Sequence, residues 1–206
     1  MQPPQIKHLG LTDYATVWHA MQRFTHEREA SAADELWLTQ HHPVYTQGLN
    51  GRKEHVLNPR GIPVLQVDRG GQVTYHGPGQ LVLYTLLNID RLKLGVRQLV
   101  SCLEQTVIEV LAEYAVTAEA RRDAPGVYVG EAKIAALGLR VRKGNCYHGL
   151  SLNVAMDLDP FSGIDPCGYR GMPVTQLSAL ADNVEFTTVE QQLCNKLIGV
   201  LGYGQE

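Results

Sequence analysis

The sequence predicts an α+β fold in a single domain spanning residues 1–206. Stretches of helical period are separated by runs of several short strands, not alternated with them one for one. That arrangement favours meandering strands over a doubly wound parallel sheet. The longest helical stretch carries one continuous apolar stripe. No low-complexity linker and no internal repeat divides the chain.

Thr12 or Asp13 can cap a first helix, along which Tyr14, Val17, Trp18, Met21 and Phe24 recur on one face. Leu36-Trp37-Leu38 and Val44-Tyr45-Thr46 are short strands around the His41-His42-Pro43 turn, and both histidines are read as turn residues. Ile62 to Val67 and Leu81 to Ile89 are apolar runs that predict buried strands. Val96 to Tyr114 is the strongest helix, with Leu99, Leu103, Val107, Val110 and Leu111 as its buried stripe. Gly126 to Val129 and Lys133 to Leu137 form a hairpin across Gly130-Glu131-Ala132. The turn Lys143-Gly144-Asn145 leads into a strand from Tyr147 to Val154. Pro160 to Pro173 is irregular, and Val189 to Leu201 closes the chain as an amphipathic helix.

Bulk properties exclude several functions. The chain has 206 residues, a formal net charge of −3 and a pI near 6.2. Such a balance gives no long-range attraction for nucleic acid or anionic lipid. No apolar run approaches the roughly 20 residues of a membrane span. Met1-Gln2-Pro3-Pro4 does not open a secretory signal. The four cysteines, Cys102, Cys146, Cys167 and Cys194, show neither a CxxC pair nor a disulfide framework. The expected location is the cytoplasm, with no metal site and no cofactor.

The most informative segment is Asp68-Arg69-Gly70-Gly71-Gln72-Val73-Thr74-Tyr75-His76-Gly77-Pro78-Gly79-Gln80. Glycine at this density belongs where backbone takes positive φ or comes close to a ligand. The interleaved charged, phenolic and imidazole side chains point to a ligand cradle. No Gly-Lys-Ser/Thr follows, so it is not a Walker loop. Cys167, between Pro166 and Gly168, sits on a rigid turn and is a candidate nucleophile. Cys102 and Cys194 lie beside apolar helical neighbours and read as small core residues, and Cys146 is next to a hairpin turn. His76 and His148 are candidate bases in glycine-flanked segments. Lys133 opens the apolar Ile134-Ala135-Ala136-Leu137 strand, and if it faced a pocket, desolvation would make it a usable base.

Five ordered motifs resemble the lipoyl(octanoyl) transferases of lipoate biosynthesis. They are Asp68 to Gln80, Ala124 to Val129, Lys133 to Gly138, His148 to Val154, and Pro166-Cys167-Gly168. The resemblance runs from about Glu35 to the C-terminal helix. It implies the biotin/lipoate protein ligase catalytic-domain fold, a mixed sheet flanked by helices. It implies transfer of an octanoyl group from octanoyl-acyl carrier protein to a specific lysine of a lipoyl domain. The acceptors would be 2-oxoacid dehydrogenase E2 subunits and the glycine cleavage H protein, and the enzyme a monomer. By the resemblance, Cys167 is the acyl-thioester nucleophile, and Lys133 lowers its pKa and moves protons. Arg69, Gly70, Gly71, Gln72, Val73, Thr74, Tyr75 and His76 form the substrate-binding loop. Ala136, Leu137 and Gly138, with Gly149, Leu150 and Ser151, form two further substrate-contacting segments.

The implied chemistry is self-consistent. A thioester donor is already activated, exchange onto a thiol is nearly neutral, and amide formation is downhill, so no ATP is needed. Backbone N–H groups of glycine loops can approach the developing oxyanion, at about 3–4 kcal/mol per well-placed donor. Three alternatives share parts of this pattern. An ATP-dependent lipoate or biotin ligase needs no thiol nucleophile. A lipoyl-relay amidotransferase would use another donor. A non-catalytic acyl-protein binder would leave both partners' masses unchanged.

Overall fold

The computed structural model describes residues 2–166 and 170–204. Strand β1 (Gln5–Thr12) leads into helix α1 (Tyr14–Glu27), then β2 (Glu35–His41), β3 (Val44–Gln47), β4 (Val64–Gln66), β5 (Val73–His76) and β6 (Gln80–Asn88). Helix α2 (Val96–Glu113) precedes β7 (Glu119–Ala120), β8 (Val127–Val129), β9 (Ala132–Arg142) and β10 (Asn145–Asn153), and α3 (Phe186–Val200) follows. Seven strands form the main sheet in the order β1-β2-β6-β10-β9-β8-β7, and β4-β3-β5 form a small second sheet. The main sheet is mixed: β1 runs parallel to β2, and the other neighbours are antiparallel.

Strand β6 shows why this arrangement forms. It is buried on both faces, so it reads as a continuous apolar run without alternation. Leu81, Leu83 and Leu87 enter one core with the α2 stripe and α3, whereas Val82, Tyr84 and Leu86 enter another with α1. Leu99, Leu103, Val107, Val110 and Leu111 of α2 are fully buried, at about 1.5–3 kcal/mol each. Asp13 caps α1 by accepting the Thr16 N–H at 2.9 Å. The Gly95 N–H donates to Gln98 Oε1 at 2.7 Å to start α2. A third cluster joins Tyr45, Val73 and Tyr75 of the small sheet to Phe161 and Ile164.

The α+β class, the three helices and most strands agree with the sequence expectation. Strand β1 was not anticipated. It is an edge strand, largely exposed, with a register shift between His8 and Gly10 that breaks its alternation. The run Ile62 to Val67 does not form a buried strand: only Val64–Gln66 pairs, on the margin of the small sheet, and Val64 is 38% exposed. The second half of the expected substrate-binding loop Arg69 to His76 is the strand β5. Among the described residues, no helix is long and apolar enough to cross a membrane.

A buried carboxylate ties the segment after α1, the end of β6 and the residue Tyr203 after α3 together. Asp34 accepts from Arg28 Nη2 at 2.8 Å, Arg91 Nη2 at 2.6 Å, Tyr203 Oη at 2.6 Å and the Asn88 N–H at 2.8 Å. Burial alone would raise its pKa, but these donors outweigh burial and lower it. Asp34→Ala leaves Arg28 buried without its counter-charge. The expected loss is about 3–5 kcal/mol, read as a lower urea midpoint. A loss below about 1 kcal/mol, the range of exposed ion pairs, would show that the cluster does not anchor the fold.

Candidate active site

Two adjoining cavities open along the seam between β9, β10 and the glycine-rich segment. The larger is a partly open cleft with a cavity volume of about 50 Å³, lined mainly by apolar surface. Of the expected substrate-contacting residues, Arg69, Gly71, Gln72, Val73, Thr74, His76, Ala136, Leu137, Gly138, Gly149, Leu150 and Ser151 line it. Gly70 does not; its N–H donates to Leu139 O at 2.9 Å. Tyr75 does not either, because strand alternation turns it toward Phe161, with ring centroids 5.5 Å apart. The smaller cavity, about 20 Å³, shares Thr74, Ala136 and Ser151 with the first and adds Lys133 and Pro166.

Lys133 reaches this cavity through a β-bulge. The β8–β9 register runs Val127↔Ala135 and then Tyr128↔Lys133, which leaves Ile134 extra. Ile134 and Ala135 both enter the core. Lys133 and Ala136, three apart, therefore line the same cavity, where strict alternation would separate them. Lys133 as a residue is 4% exposed, and its ammonium donates to Pro125 O at 2.9 Å. It lies 5.3 Å from the centre of the Tyr128 ring. Glu104 on α2 holds the Pro125 turn by accepting the Gly126 N–H at 3.0 Å. Burial raises the Glu104 pKa, against the lowering effects of that N–H and of Lys133's charge. Gly126 has φ +145, and a Cβ there would collide with Lys133 Cε.

The segment expected to carry the nucleophile flanks the same lysine. Asp165 N–H donates to His55 O at 2.9 Å, and Pro166 lines the Lys133 cavity. Cys167 itself lies outside the described residues. Further on, Lys133 N–H donates to Pro173 O at 2.9 Å, and Thr175 N–H donates to Lys133 O at 3.0 Å. The three described cysteines are inert by environment. Burial pushes the Cys146 and Cys194 thiols up to about 12 and raises that of Cys102.

Arg69 braces the loop. Its guanidinium donates to Thr46 O at 2.6 Å, Thr46 Oγ1 at 2.9 Å, Gln72 O at 2.8 Å and Gly70 O at 2.9 Å. From the other side the backbone N–H groups of Gly48, Leu49 and Asn50 donate to the carbonyls of Gln72, Arg69 and Gly71. A Cβ on Gly48 would strike the Gly71 carbonyl, so this glycine outside the motif is as necessary as those within it.

The polar end of the larger cavity holds neutral histidines. His76 Nδ1–H donates to Gln80 Oε1 at 2.7 Å, because Gln80 Nε2 is committed to Tyr75 O and Asn153 Oδ1. His76 Nε2 then accepts from Thr46 Oγ1 at 3.2 Å. His41, read from sequence as a turn residue, is instead fully buried at the end of β2. Its Nε2 pairs with Tyr84 Oη at 2.6 Å. Burial lowers the His41 pKa to about 4 and the His76 pKa to about 3. His148 is lowered too, by burial, against the raising effect of Asp68. Tyr14 and Tyr84 line the cavity beside them. The sequence offered both only as apolar positions of a helix and a strand.

These parts can hold an apolar chain with its reactive end beside a buried amine. A model of the lipoyl protein ligase A/B catalytic domain matches residues 13–198. The chain belongs to that family. The octanoyltransferase of Pseudomonas syringae pv. syringae (strain B728a) is 59% identical over 198 residues, covering 96% of this chain and 91% of the relative. That of Shewanella frigidimarina (strain NCIMB 400) is 55% identical over 204 residues, covering 99% and 94%. Within the lipoyl protein ligase A/B family the chain is thus an acyltransferase of the octanoyltransferase group. The fold is shared more widely. A lipoate-protein ligase A structure bound with ATP superposes with TM-score 0.82 at 16% identity, over 98% of this chain and 86% of that one. Biotin protein ligase from Aquifex aeolicus gives 0.59 at 15% identity, over 98% and 69%.

The neutral histidines predict acid sensitivity. Their pKa values are depressed on folding, so the unfolded chain binds protons first as pH falls. Their stabilisation is full above the unfolded value of about 6.5 and is lost as pH drops toward the folded values. At pH 5, His41 and His76 each cost about 2 kcal/mol. The melting temperature should fall by several degrees between pH 7.5 and pH 5. A flat profile would show that these rings are not held neutral.

Proposed function

We propose that this acyltransferase moves an octanoyl group from octanoyl-acyl carrier protein to a specific lysine of a lipoyl domain, through a thioester on Cys167. The acceptors are E2 subunits of 2-oxoacid dehydrogenases and the glycine cleavage H protein, and the enzyme acts as a single-domain monomer in the cytoplasm without a cofactor. One observation carries the reading. The cavity holding the buried Lys133 is also lined by Pro166, the residue immediately before Cys167, and shares Thr74, Ala136 and Ser151 with a mainly apolar cavity.

The Cys167 thiol gives its proton to the Lys133 amine, or its thiolate is stabilised by the ammonium. The thiolate attacks the donor thioester carbonyl, the carrier thiol leaves with a proton, and the acyl group rests on sulfur. The acceptor lysine then loses a proton to the Lys133 amine and attacks, the amide forms, and Cys167 is released. Leu137, Leu150 and Val82 would clasp the acyl chain, at about 0.8 kcal/mol per buried CH₂. The glycine-rich loop, with Gly138 and Gly149, leaves room for it.

The rival with a physical basis is the ATP-dependent ligase, since its fold is the same. Intact-mass spectrometry of protein incubated with octanoyl-acyl carrier protein in EDTA, without nucleotide, separates the two. The expected result is one added octanoyl group, removed by neutral hydroxylamine and absent in Cys167→Ala. Transfer to a lipoyl domain should fall roughly 10³-fold or more in Cys167→Ala. Lys133→Ala and Lys133→Arg should each lose roughly 10²–10⁴-fold, because arginine cannot act as a base. Cys102→Ser and Cys194→Ser should transfer normally. Efficient use of free octanoate with ATP and magnesium, and none of the carrier thioester, would overturn the reading.

A further inference from the structure

Strand β10 contains an exception to its own alternation. Cys146, Leu150 and Leu152 point into the core beneath α2 and α3, and Tyr147 points to the α1 side. By parity His148 belongs with Cys146 and Leu150. Instead it has φ +64. Among the described residues it is the single non-glycine with positive φ inside a strand. The left-handed turn brings its ring to the side of Tyr147, and the two rings stack at 5.0 Å and 24°. Both then bond Asp68: Tyr147 Oη donates to Oδ2, and His148 Nε2–H donates to Oδ1 at 2.9 Å. Trp18 Nε1 and Gln22 Nε2, both from α1, complete the clamp at 2.8 and 3.2 Å.

The clamp is a partition. On one side His148 lines the larger cavity. On the other, Gln22 and Tyr147 line a solvent-open groove between α1 and the β9–β10 hairpin, with His19, Arg23 and Arg142. The reactive end of the cavity is marked by Ser151, shared with the Lys133 cavity. His148 is three residues from Ser151 along β10, roughly 10 Å at strand rise. That distance is about the reach of an extended eight-carbon chain. His148 Nδ1 is buried with no hydrogen-bond partner, so the ring's polar anchor is its Nε2 bond to Asp68, with Tyr147 stacked on its face.

We infer that the Asp68 clamp is the end wall of the acyl cavity, and that the His148 ring sets the longest acyl chain the enzyme accepts. The inference rests on the octanoyl reading above. A chain ending at C8 meets the ring, and a longer one must displace it or stay partly outside. With the ring removed, the cavity joins the groove and the wall becomes a passage.

The test compares octanoyl and dodecanoyl chains. His148→Gly is the main variant, because glycine takes the left-handed backbone without strain. His148→Asn, which also tolerates that backbone, is the second. Transfer from octanoyl- and dodecanoyl-acyl carrier protein is measured, together with binding of octanoate and dodecanoate followed by tryptophan fluorescence. Wild type should favour the eight-carbon chain at least tenfold in both assays. In His148→Gly that preference should shrink at least tenfold, through a gain for dodecanoyl. Equal binding of the two acids by wild type would overturn the wall without recourse to any variant. So would an unchanged preference in a variant that melts like wild type. Failure of wild type to transfer octanoyl at all would instead remove the functional reading, and the binding comparison would still decide the wall.

Discussion

The site depends on the burial of one ammonium group. Lys133 has left water almost completely, and its side chain is held by the Pro125 carbonyl and the face of Tyr128. An isolated buried charge would cost many kcal/mol, so everything near it is arranged to receive it. Glu104 on α2 fixes the turn that supplies the carbonyl and contributes an opposing charge. Gly126 leaves space for the side chain. The bulge at Ile134 aims it. The backbone of the same residue pairs with Pro173 and Thr175, so the chain returning from the Cys167 segment is docked on the lysine. One residue organises both the electrostatics and the loop geometry.

The acyl cavity obeys a second constraint, rigidity without exposed polar groups. Arg69 and the Gly48 to Asn50 turn bind the carbonyls of the glycine-rich segment, so the loop is shaped before substrate arrives. Gln80 fixes the His76 tautomer, and Tyr84 pairs with His41. Asp68 accepts four donors, which outweigh its burial and hold it well below the usual carboxylate range. The walls thus present mainly apolar surface, and most of their polar side chains are tied into hydrogen bonds, which suits an alkyl chain. Preorganisation of this kind lowers the cost of holding substrate in a reactive pose.

Much of this was legible in the residues. The α2 stripe and the β9–β10 hairpin follow from periodicity and turn chemistry. The glycine-rich motif announced a cradle, and six of the eight residues from Arg69 to His76 do line the cavity. Other features were hidden for identifiable reasons. Strand β1 is exposed and bulged, so it carries no strong pattern. Tyr14 and Tyr84 satisfy a helix stripe and an apolar strand, and nothing local separates a cavity wall from a core. His41 precedes a His-Pro turn, yet its ring is buried against Tyr84. The one-residue slip at Ile134 and the left-handed His148 are set by tertiary pairing. Each reverses which way a side chain faces, and neither has a signature in a single sequence.

The most direct test of the account asks whether Lys133 governs the reactivity of Cys167. The rate of Cys167 alkylation by iodoacetamide is followed against pH in wild type and in Lys133→Ala, with modification located by peptide mass. The account predicts a higher apparent pKa for the thiol in Lys133→Ala, with slower alkylation at neutral pH and convergence with wild type at high pH. Superimposable profiles in a folded variant would contradict it.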